Sequence, residues 1–264
     1  MVVMVDHEAY EADGFFRIER FAPPAVGDSM LVEVVDIARR AAQGEDVRPA
    51  LALPEAQPGF SGTDPEDLIS KVFRLHRRPV FREFLESDAI TAIVADLVGP
   101  DVDCFLSQFI FKNPGAWGQP WHQDSHYYPF APARPIVGLW LAVTEATLAN
   151  GCLHVLPGSN HEAVHEHVPD ARPNANYGYV EIVDHDMAAA VPVLMQPGDL
   201  LVFDSHLMHR STDNTSSRIR AAMVFHCCVA GTVEIDESPT RSLVQDFTPL
   251  LRGGEVVPLL ESAR

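Results

Sequence analysis

A histidine and an aspartate stand two residues apart in the segment 121–128, at His122 and Asp124. If this segment is extended, both side chains point to the same side of the strand and can hold one metal ion together. The pair alone is a weak indication of a metal site, because a motif this short recurs by chance in many proteins. The interpretation therefore depends on a third ligand from another part of the chain.

The run 198–211 offers two candidates for that ligand, His206 and His209. Because they are three residues apart, they face opposite sides of an extended strand, and only one of them can join His122 and Asp124. Two histidines and one carboxylate that leave three positions open form the facial triad of non-haem iron(II) oxygenases. A zinc site more often has a third histidine or a cysteine. The pattern therefore favours Fe2+ over zinc.

Composition limits the classes of protein that need to be considered. The chain has 264 residues, of which 47% are hydrophobic and 21% are charged, so we expect one domain spanning 1–264 with a sizeable core. The formal net charge of −18 would repel a phosphate backbone, and no cluster of lysine or arginine offsets it. We therefore expect no nucleic-acid partner, whereas the sequence does not distinguish a monomer from a homodimer.

The sequence also predicts a soluble, cytoplasmic protein with no membrane partner. No stretch of 18 apolar residues is present, and the N-terminal segment lacks the basic region and the apolar run of an export signal. The four cysteines show no CxxC spacing, and we expect them to be reduced. They are Cys104, Cys152, Cys227 and Cys228.

The chain changes character at about residue 100. The N-terminal part, about 1–100, has apolar residues at helical spacing, and a loop rich in proline and glycine interrupts it at 44–63. Helices are expected within 6–21, where one runs into a Phe-Phe-Arg-Ile strand, at 29–43, from Thr63 through Leu75, and at about 79–98.

From about 101 to 230, short β-branched or aromatic runs are bounded by proline, glycine or asparagine, which is typical of strands. Eight strands with turns between them predict a mainly β fold, a double-sheet jelly roll with the N-terminal α-helices packed on its outside. A polar insertion at 161–190 is too long for a turn, and such loops are usually functional or mobile. The strands are expected at 103–112, 121–125, 136–145, 152–156, 191–195, 200–204, 207–212 and 218–229.

Four segments of this region, taken together, resemble the phytanoyl-CoA dioxygenase family. They are Gln108 to Lys112, Trp-His-Gln-Asp-Ser-His-Tyr-Tyr-Pro-Phe at 121–130, Asn-Gly-Cys-Leu-His-Val-Leu-Pro-Gly-Ser at 150–159, and His-Arg-Ser at 209–211. The resemblance extends from about residue 8 to 230. It implies a double-stranded β-helix, a cupin-like variant of the jelly roll, and an oxygenase that depends on iron(II), 2-oxoglutarate and dioxygen (O2).

The resemblance also implies roles for particular residues. It selects His209 rather than His206 as the third ligand, because His209 stands just before Ser211 and eleven residues ahead of Arg220. Arg218 shares a strand face with Arg220, so strand parity cannot choose between them, whereas the family spacing selects Arg220 for the C5 carboxylate of 2-oxoglutarate. A guanidinium suits that carboxylate because its planar fork binds both oxygens and keeps its charge. Ser211 would add a hydroxyl to the same carboxylate.

Three further positions match the family's cosubstrate pocket: Lys71, which is expected on a helix before the roll, Gln108 and Trp140. The reaction that the resemblance implies converts 2-oxoglutarate to succinate and CO2 while an unactivated C–H bond of the substrate becomes an alcohol. Related halogenases replace the carboxylate ligand by a small residue to make room for chloride. Because Asp124 retains the carboxylate, we expect hydroxylation rather than halogenation.

Several alternatives stay open at this point. A jelly-roll binding protein that retains a metal without catalysis has the same pattern, as does an enzyme of the same family that desaturates, epimerises or forms rings. The resemblance implies a small-molecule substrate, which would be a natural product, an amino-acid derivative or an acyl-CoA. Its pocket is predicted to be walled by 44–63, 117–128 and 161–190, and His226 is expected to be a buried, hydrogen-bonded histidine.

Overall fold

Two antiparallel sheets, one larger and one smaller, form the centre of the protein, and the helices pack against the larger sheet. The computed structural model describes residues 4–173, 178–235 and 243–258. The helices are α1 His7–Asp13, α2 Pro24–Ala42, α3 Pro79–Leu85 and α4 Asp88–Val98, and single 3-10 turns lie at Pro65–Leu68, Asp124–Tyr127 and Ser159–His161. The strands are β1 Phe15–Ile18, β2 Leu51–Pro54, β3 Ile69–Phe73, β4 Val102–Lys112, β5 Phe130–Ala131, β6 Ile136–Ala142, β7 Leu153–Val155, β8 Val168–Pro169, β9 Val180–Glu181, β10 Val191–Val193, β11 Leu200–Asp204, β12 His209–Ser211, β13 Arg220–Val229, β14 Val233–Glu234, β15 Thr248–Arg252 and β16 Glu255–Val256.

The larger sheet has nine strands in the order β1-β11-β6-β13-β4-β15-β16, with β3 also paired to β4 and β2 to β3. Its central strand is β13, which pairs with β4 on one side and with β6 on the other. The smaller sheet has the order β10-β7-β12. This architecture agrees with the predicted mainly β jelly roll with N-terminal helices.

Local sequence signals begin and end the first helices. Asp6 caps α1 by accepting a hydrogen bond from a first-turn N–H, and Gly14 ends it with a left-handed φ of 84°. In α2 the apolar residues Met30, Val34 and Ile37 recur at helical spacing and are fully buried. This stripe holds α2 against the outer face of the larger sheet.

Side chains of the larger sheet alternate between two environments, because successive strand residues point to opposite faces. In β13, Met223 packs with the helices in one hydrophobic cluster. Its neighbours Ala222 and Val224 pack with residues of the smaller sheet in another. Arg220 and His226 have the parity of the second set, so both side chains face the interior between the sheets.

The helix predicted from Thr63 through Leu75 is wrong. The start signal is present, since Asp67 accepts hydrogen bonds from backbone N–H groups at the beginning of the turn Pro65–Leu68. The helix ends after that one turn, and the following residues form β3 along the edge of β4. Pairing with β4 buries the β-branched Val72 completely, which outweighs the local preference for a helix.

Other element limits also differ from the prediction. The helix expected at 79–98 is two helices, α3 and α4, and the strand expected at 121–125 is a single bridge at His122 followed by a 3-10 turn. Strands β1 to β3 lie within the first hundred residues, and β15 pairs with β4 beyond residue 230. The sheet therefore extends past both limits of the predicted 101–230 core. Within the described ranges, no helix is both long and apolar enough to cross a membrane.

The buried hydroxyl of Ser107 joins β4 to the residues that follow β3. Its Oγ accepts hydrogen bonds from the backbone N–H groups of Leu75 at 2.8 Å and His76 at 2.9 Å. We expect Ser107→Ala to lower the free energy of unfolding by about 2–4 kcal/mol, because two buried N–H groups lose their partner. Urea denaturation measures this loss. The control Ser29→Ala removes an exposed hydroxyl from α2 and should change stability by less than about 0.5 kcal/mol, so equal losses would contradict the prediction.

Candidate active site

The structure brings His122 and His209 together through their backbones. The N–H of each donates to the carbonyl of the other at 2.9 Å, which makes an isolated antiparallel bridge between the two residues. Side chains of directly paired strand residues lie on the same face of the pair. The two imidazole rings accordingly stand side by side, with their centroids 4.2 Å apart.

Asp124 completes this group from the first residue of the 3-10 turn. Gln123 between it and His122 is extended, with φ −111° and ψ 132°, so the two-residue spacing turns both ligand candidates to the same side. Asp124 Oδ1 lies 3.6 Å from His122 Nε2 and 3.8 Å from His209 Nε2. All three side chains are buried, and their ligand atoms lie within 4.8 Å of one another.

Backbone carbonyls orient both rings of this triad. His122 Nδ1 donates to the carbonyl of Pro120 at 2.8 Å, and His209 Nδ1 donates to that of Leu207 at 2.9 Å. Each ring therefore turns its Nε2 towards Asp124, as metal-binding histidines commonly do. Burial lowers the pKa of His209 to about 4, so its imidazole is neutral at neutral pH and has a lone pair to offer.

His226 supports the carboxylate from β13. Its Nε2 lies 2.7 Å from Asp124 Oδ2, the oxygen that faces away from the other two histidines. Burial alone would raise the pKa of Asp124, but the surrounding histidines hold it well below its usual value, so the carboxylate stays ionised. The structure thus agrees with the prediction of a buried, hydrogen-bonded His226, and adds its partner.

His206, the other candidate from the same run, lies outside this group. It is half-buried in the turn before β12, and its Nδ1 donates to the carbonyl of Glu162 at 3.0 Å. The structure therefore shows that His209, not His206, lies with His122 and Asp124, a choice that strand parity had left open.

The triad lies in a cavity of about 550 Å³ between the two sheets. All eight residues proposed from the sequence line it: Lys71, Gln108, His122, Asp124, Trp140, His209, Ser211 and Arg220. The three expected walls also contribute, through Leu51 and Leu53 of 44–63, Tyr127 and Tyr128 of 117–128, and Arg172 and Tyr179 of 161–190. Residues 174–177 of the last wall lie outside the described residues.

Arg220 places a buried cation in this cavity. Its side chain is 2% exposed, its Nε donates to the carbonyl of Gly151 at 3.2 Å, and its guanidinium lies 5.6 Å from the centre of the Trp140 ring. Its Nη1 is buried without a hydrogen-bond partner among the described residues, and burial lowers its pKa to about 10. Arg218 is instead mostly exposed and pairs with Glu145 at 3.1 Å, so only one of the two arginines faces the cavity.

Lys71 is a second buried cation, and the prediction that it lies on a helix is wrong. It belongs to β3, where the pairing opposite Ile110 of β4 turns it towards the cavity. Its Nζ lies 3.5 Å from Gln119 Oε1 and 4.9 Å from the centre of the Tyr179 ring. Burial lowers its pKa to about 8. Gln108 lines the cavity from the neighbouring strand β4.

Sequence reasoning missed the role of Lys112. Its buried Nζ donates to Ser211 Oγ at 2.9 Å and to the carbonyl of Thr212 at 2.7 Å, while the N–H of Gln119 donates to the same Oγ at 3.1 Å. The oxygen of Ser211 thus accepts twice, which leaves its hydrogen free for a ligand in the cavity. Strand parity with Gln108 was the signal that could have identified Lys112 as a cavity residue.

A family model described as Phytanoyl-CoA dioxygenase (PhyH) matches residues 10–222 of the chain. The chain belongs to the phytanoyl-CoA dioxygenase family. It is 29% identical over 229 residues to a probable phytanoyl-CoA dioxygenase of Caenorhabditis elegans, an alignment that covers 82% of this chain and 72% of the relative. Alignments with other curated members span as little as 52% of the relative's length.

The fold of this chain resembles those of several solved structures. The epimerase SnoN, in complex with Fe3+, α-ketoglutarate and nogalamycin RO, superposes with a TM-score of 0.65 at 16% identity, covering 88% of this chain and 84% of SnoN. EctD from S. alaskensis, with 2-oxoglutarate and 5-hydroxyectoine, superposes with a TM-score of 0.62 at 19% identity, covering 84% and 74%. At these identities the likeness extends to the fold alone.

The hydrogen bond from His226 should matter to any divalent ion that the triad holds. We expect His226→Leu to weaken binding of such an ion by about 10–100-fold, because Asp124 loses the donor that fixes its orientation. Calorimetric titration of the metal-free protein with Fe2+ under anaerobic conditions measures the change. His154→Leu is the control, since His154 does not line the cavity, and an equal loss in that variant would count against the predicted role of His226.

Proposed function

We propose that this chain is an iron(II)- and 2-oxoglutarate-dependent dioxygenase that hydroxylates an unactivated C–H bond of a small organic substrate. The observation that carries this proposal is Arg220, whose guanidinium lies in the same cavity as the triad with its buried Nη1 lacking a hydrogen-bond partner among the described residues. A buried charge without a partner costs free energy, so a cavity that retains one is suited to an anionic ligand. Membership of the phytanoyl-CoA dioxygenase family supports the same conclusion.

The proposed metal ligands are His122, Asp124 and His209. Their donor set of two imidazoles and one carboxylate fits iron(II) and leaves positions for cosubstrates. Each Nδ1 donates to a backbone carbonyl, which leaves Nε2 for the ion, although an ion would replace the Gln119 amide that lies 3.0 Å from His122 Nε2. Asp124 has one oxygen directed at both histidines while the other accepts from His226. These contacts hold the three ligand atoms within 4.8 Å of one another, where they would bind one ion.

The proposed site for 2-oxoglutarate lies between the triad and the buried cations. Arg220 can bind the distal carboxylate with two parallel hydrogen bonds, and the hydroxyl of Ser211 has a free hydrogen to donate. Lys71 adds a second positive charge, and its ring contact with Tyr179 covers it from the insertion. Gln108 and Trp140 complete the walls of this end of the cavity.

When bound, iron(II) with 2-oxoglutarate and dioxygen supplies an oxidant strong enough to remove hydrogen from a C–H bond, and 2-oxoglutarate leaves as succinate and CO2. The chain's own residues bind and orient the substrate and cosubstrate, and they exclude water from the cavity. Asp124 occupies with its carboxylate the position that chloride would need, which favours hydroxylation over halogenation. Desaturation, epimerisation and ring formation would use the same residues, so product analysis distinguishes them.

The substrate end of the cavity is mainly apolar. Leu51, Leu53, Phe73 and Leu106 line the cavity and pack with Tyr128 in one hydrophobic cluster, and the Tyr128 ring contacts that of His226. These walls suit an apolar portion of a natural product, an amino-acid derivative or an acyl chain. The net charge of −18 disfavours the phosphates of a CoA group.

We also propose that residues 1–264 form a single domain. This is supported by the helices, which pack on the same sheet that β15 joins after residue 230. A cytoplasmic location and a monomeric or dimeric state stay predictions from the sequence.

Removing one ligand of the triad tests the proposed metal site. We expect Asp124→Ala to abolish succinate formation from 2-oxoglutarate, whereas His206→Ala retains iron binding because His206 is bonded elsewhere. Succinate is measured by chromatography with Fe2+, ascorbate and a panel of small substrates, and bound iron is measured by metal analysis. Loss of iron in His206→Ala alone would overturn the choice of His209.

The two arginines near the start of β13 provide a matched test of the cosubstrate site. We expect Arg220→Leu to weaken 2-oxoglutarate binding on the order of 100-fold, because a buried charge pair loses one member. Arg218→Leu, two residues away and exposed, should leave binding unchanged. Binding of 2-oxoglutarate to the metal-loaded protein is measured by calorimetry under anaerobic conditions, and similar affinities for both variants would refute the assignment of Arg220.

A further inference from the structure

A second group of two histidines and one carboxylate lies outside the cavity. Glu162 Oε2 is 2.7 Å from His165 Nε2 and 3.1 Å from His185 Nε2. Among the described residues, only this group and the triad bring three such ligand atoms within 4.8 Å of one another. The three side chains are partly exposed, so an ion there would keep contact with water.

The local sequence contains a zinc motif whose usual geometry is absent. His161-Glu162-Ala163-Val164-His165 has the spacing HExxH, in which a helix turns both histidines to one face. Here the 3-10 turn ends at His161, and the chain beyond it is not helical. His161 is exposed and lies outside the group, while His185 from a distant segment takes its place.

Buried contacts fix the backbone that carries Glu162 and His165. Gln123, which is completely buried, accepts a hydrogen bond from the N–H of His165 at 2.8 Å and donates to the carbonyl of Ala163 at 3.2 Å. His167 Nδ1 donates to the carbonyl of His165 at 2.8 Å. The two ligand candidates therefore stand on a braced segment rather than on a free loop.

The ring of His185 is oriented as well. Its Nδ1 lies 3.1 Å from the carbonyl of Asp186, which accepts the ring N–H and turns Nε2 towards Glu162. The same arrangement, a backbone carbonyl behind each ring, orients the histidines of the triad. Such support fixes the tautomer that a metal ion requires.

We propose that Glu162, His165 and His185 form a second metal site, which binds zinc(II) with water as the remaining ligand. The donor types are those of the triad, but the number of open positions differs: with one water, two imidazoles and a carboxylate complete the four-coordinate tetrahedron that zinc prefers, whereas iron(II) in a facial triad keeps three positions open. Because the three side chains are partly exposed, that water can reach the ion directly from solvent. The site needs no pocket like the one that adjoins the triad. This site does not depend on the proposed dioxygenase activity.

An ion at this site would join the two ends of the 161–190 insertion. His165 and His185 lie near its beginning and its end, and between them Arg172 and Tyr179 line the cavity. Closing a loop of this length removes conformations that the free segment would otherwise explore. Zinc would thus restrain Arg172 and Tyr179 in the cavity wall without contacting a ligand inside the cavity.

Zinc stoichiometry in a two-by-two set of variants tests the proposal. Metal-free full-length protein is dialysed against micromolar Zn2+, and bound zinc is measured by mass spectrometry. We expect two ions per chain in the wild type, one in His122→Ala, one in His185→Asn and none in the double variant. Within the His122→Ala background, His185→Asn should weaken the remaining site on the order of 100-fold or more.

His161→Asn is the matched control, because it makes the same change in an exposed histidine that adjoins Glu162 but lies outside the group. It should retain both ions, and both His161→Asn and His185→Asn should melt at the wild-type temperature in the presence of EDTA. Zinc should slow hydrogen exchange at 163–173 and 178–190 in His122→Ala but not in the double variant. One zinc per chain in the wild type that only His122→Ala removes would overturn the proposal, as would loss of the second ion in His161→Asn. Failure of the triad to bind metal would instead leave one ion that only His185→Asn removes.

Discussion

The pair of backbone hydrogen bonds between His122 and His209 is the contact on which the cavity depends. It joins two segments that are 87 residues apart in the chain, and it does so at the residues whose side chains form the triad. The backbone bridge fixes the positions of both Cβ atoms. The Nδ1 hydrogen bonds to the carbonyls of Pro120 and Leu207 then select one rotamer for each ring. The ligand geometry is therefore set mainly by the fold, and Asp124 and His226 refine it.

Strand alternation distributes the remaining roles. Along β13, one face provides Met223 to the helical core, and the other provides Arg220 and His226 to the cavity. Gln123 shows the same rule on a smaller scale, since it points away from His122 and Asp124 on either side of it. Its amide instead holds the segment that carries His165, so one short extended stretch organises two neighbouring regions.

The sequence predicted those parts of the molecule that follow from short-range periodicity and from family spacing. Strand parity predicted that His122 and Asp124 share one side, whereas the family spacing selected His209, Ser211 and Arg220, and all five residues line the cavity. Lys71 was expected on a helix because Asp64-Pro65 is a good helix start, and only the open edge of β4 explains why a strand follows. Strand parity could have identified Lys112 as a cavity residue, but its contact with Ser211 joins residues 99 positions apart, and the group around Glu162 includes His185 from a distant segment, so no local pattern encodes either contact.

The unpaired guanidinium of Arg220 has a consequence for how such an enzyme would respond to metabolism. A cation buried in this way can bind a carboxylate of either dicarboxylic acid, and in the proposed reaction succinate would be formed in the same cavity as the 2-oxoglutarate that it replaces. Product and cosubstrate would therefore compete for one partner by mass action. Turnover would follow the ratio of 2-oxoglutarate to succinate in the surrounding solution, which would couple oxidation of the primary substrate to the cell's balance of small dicarboxylic acids.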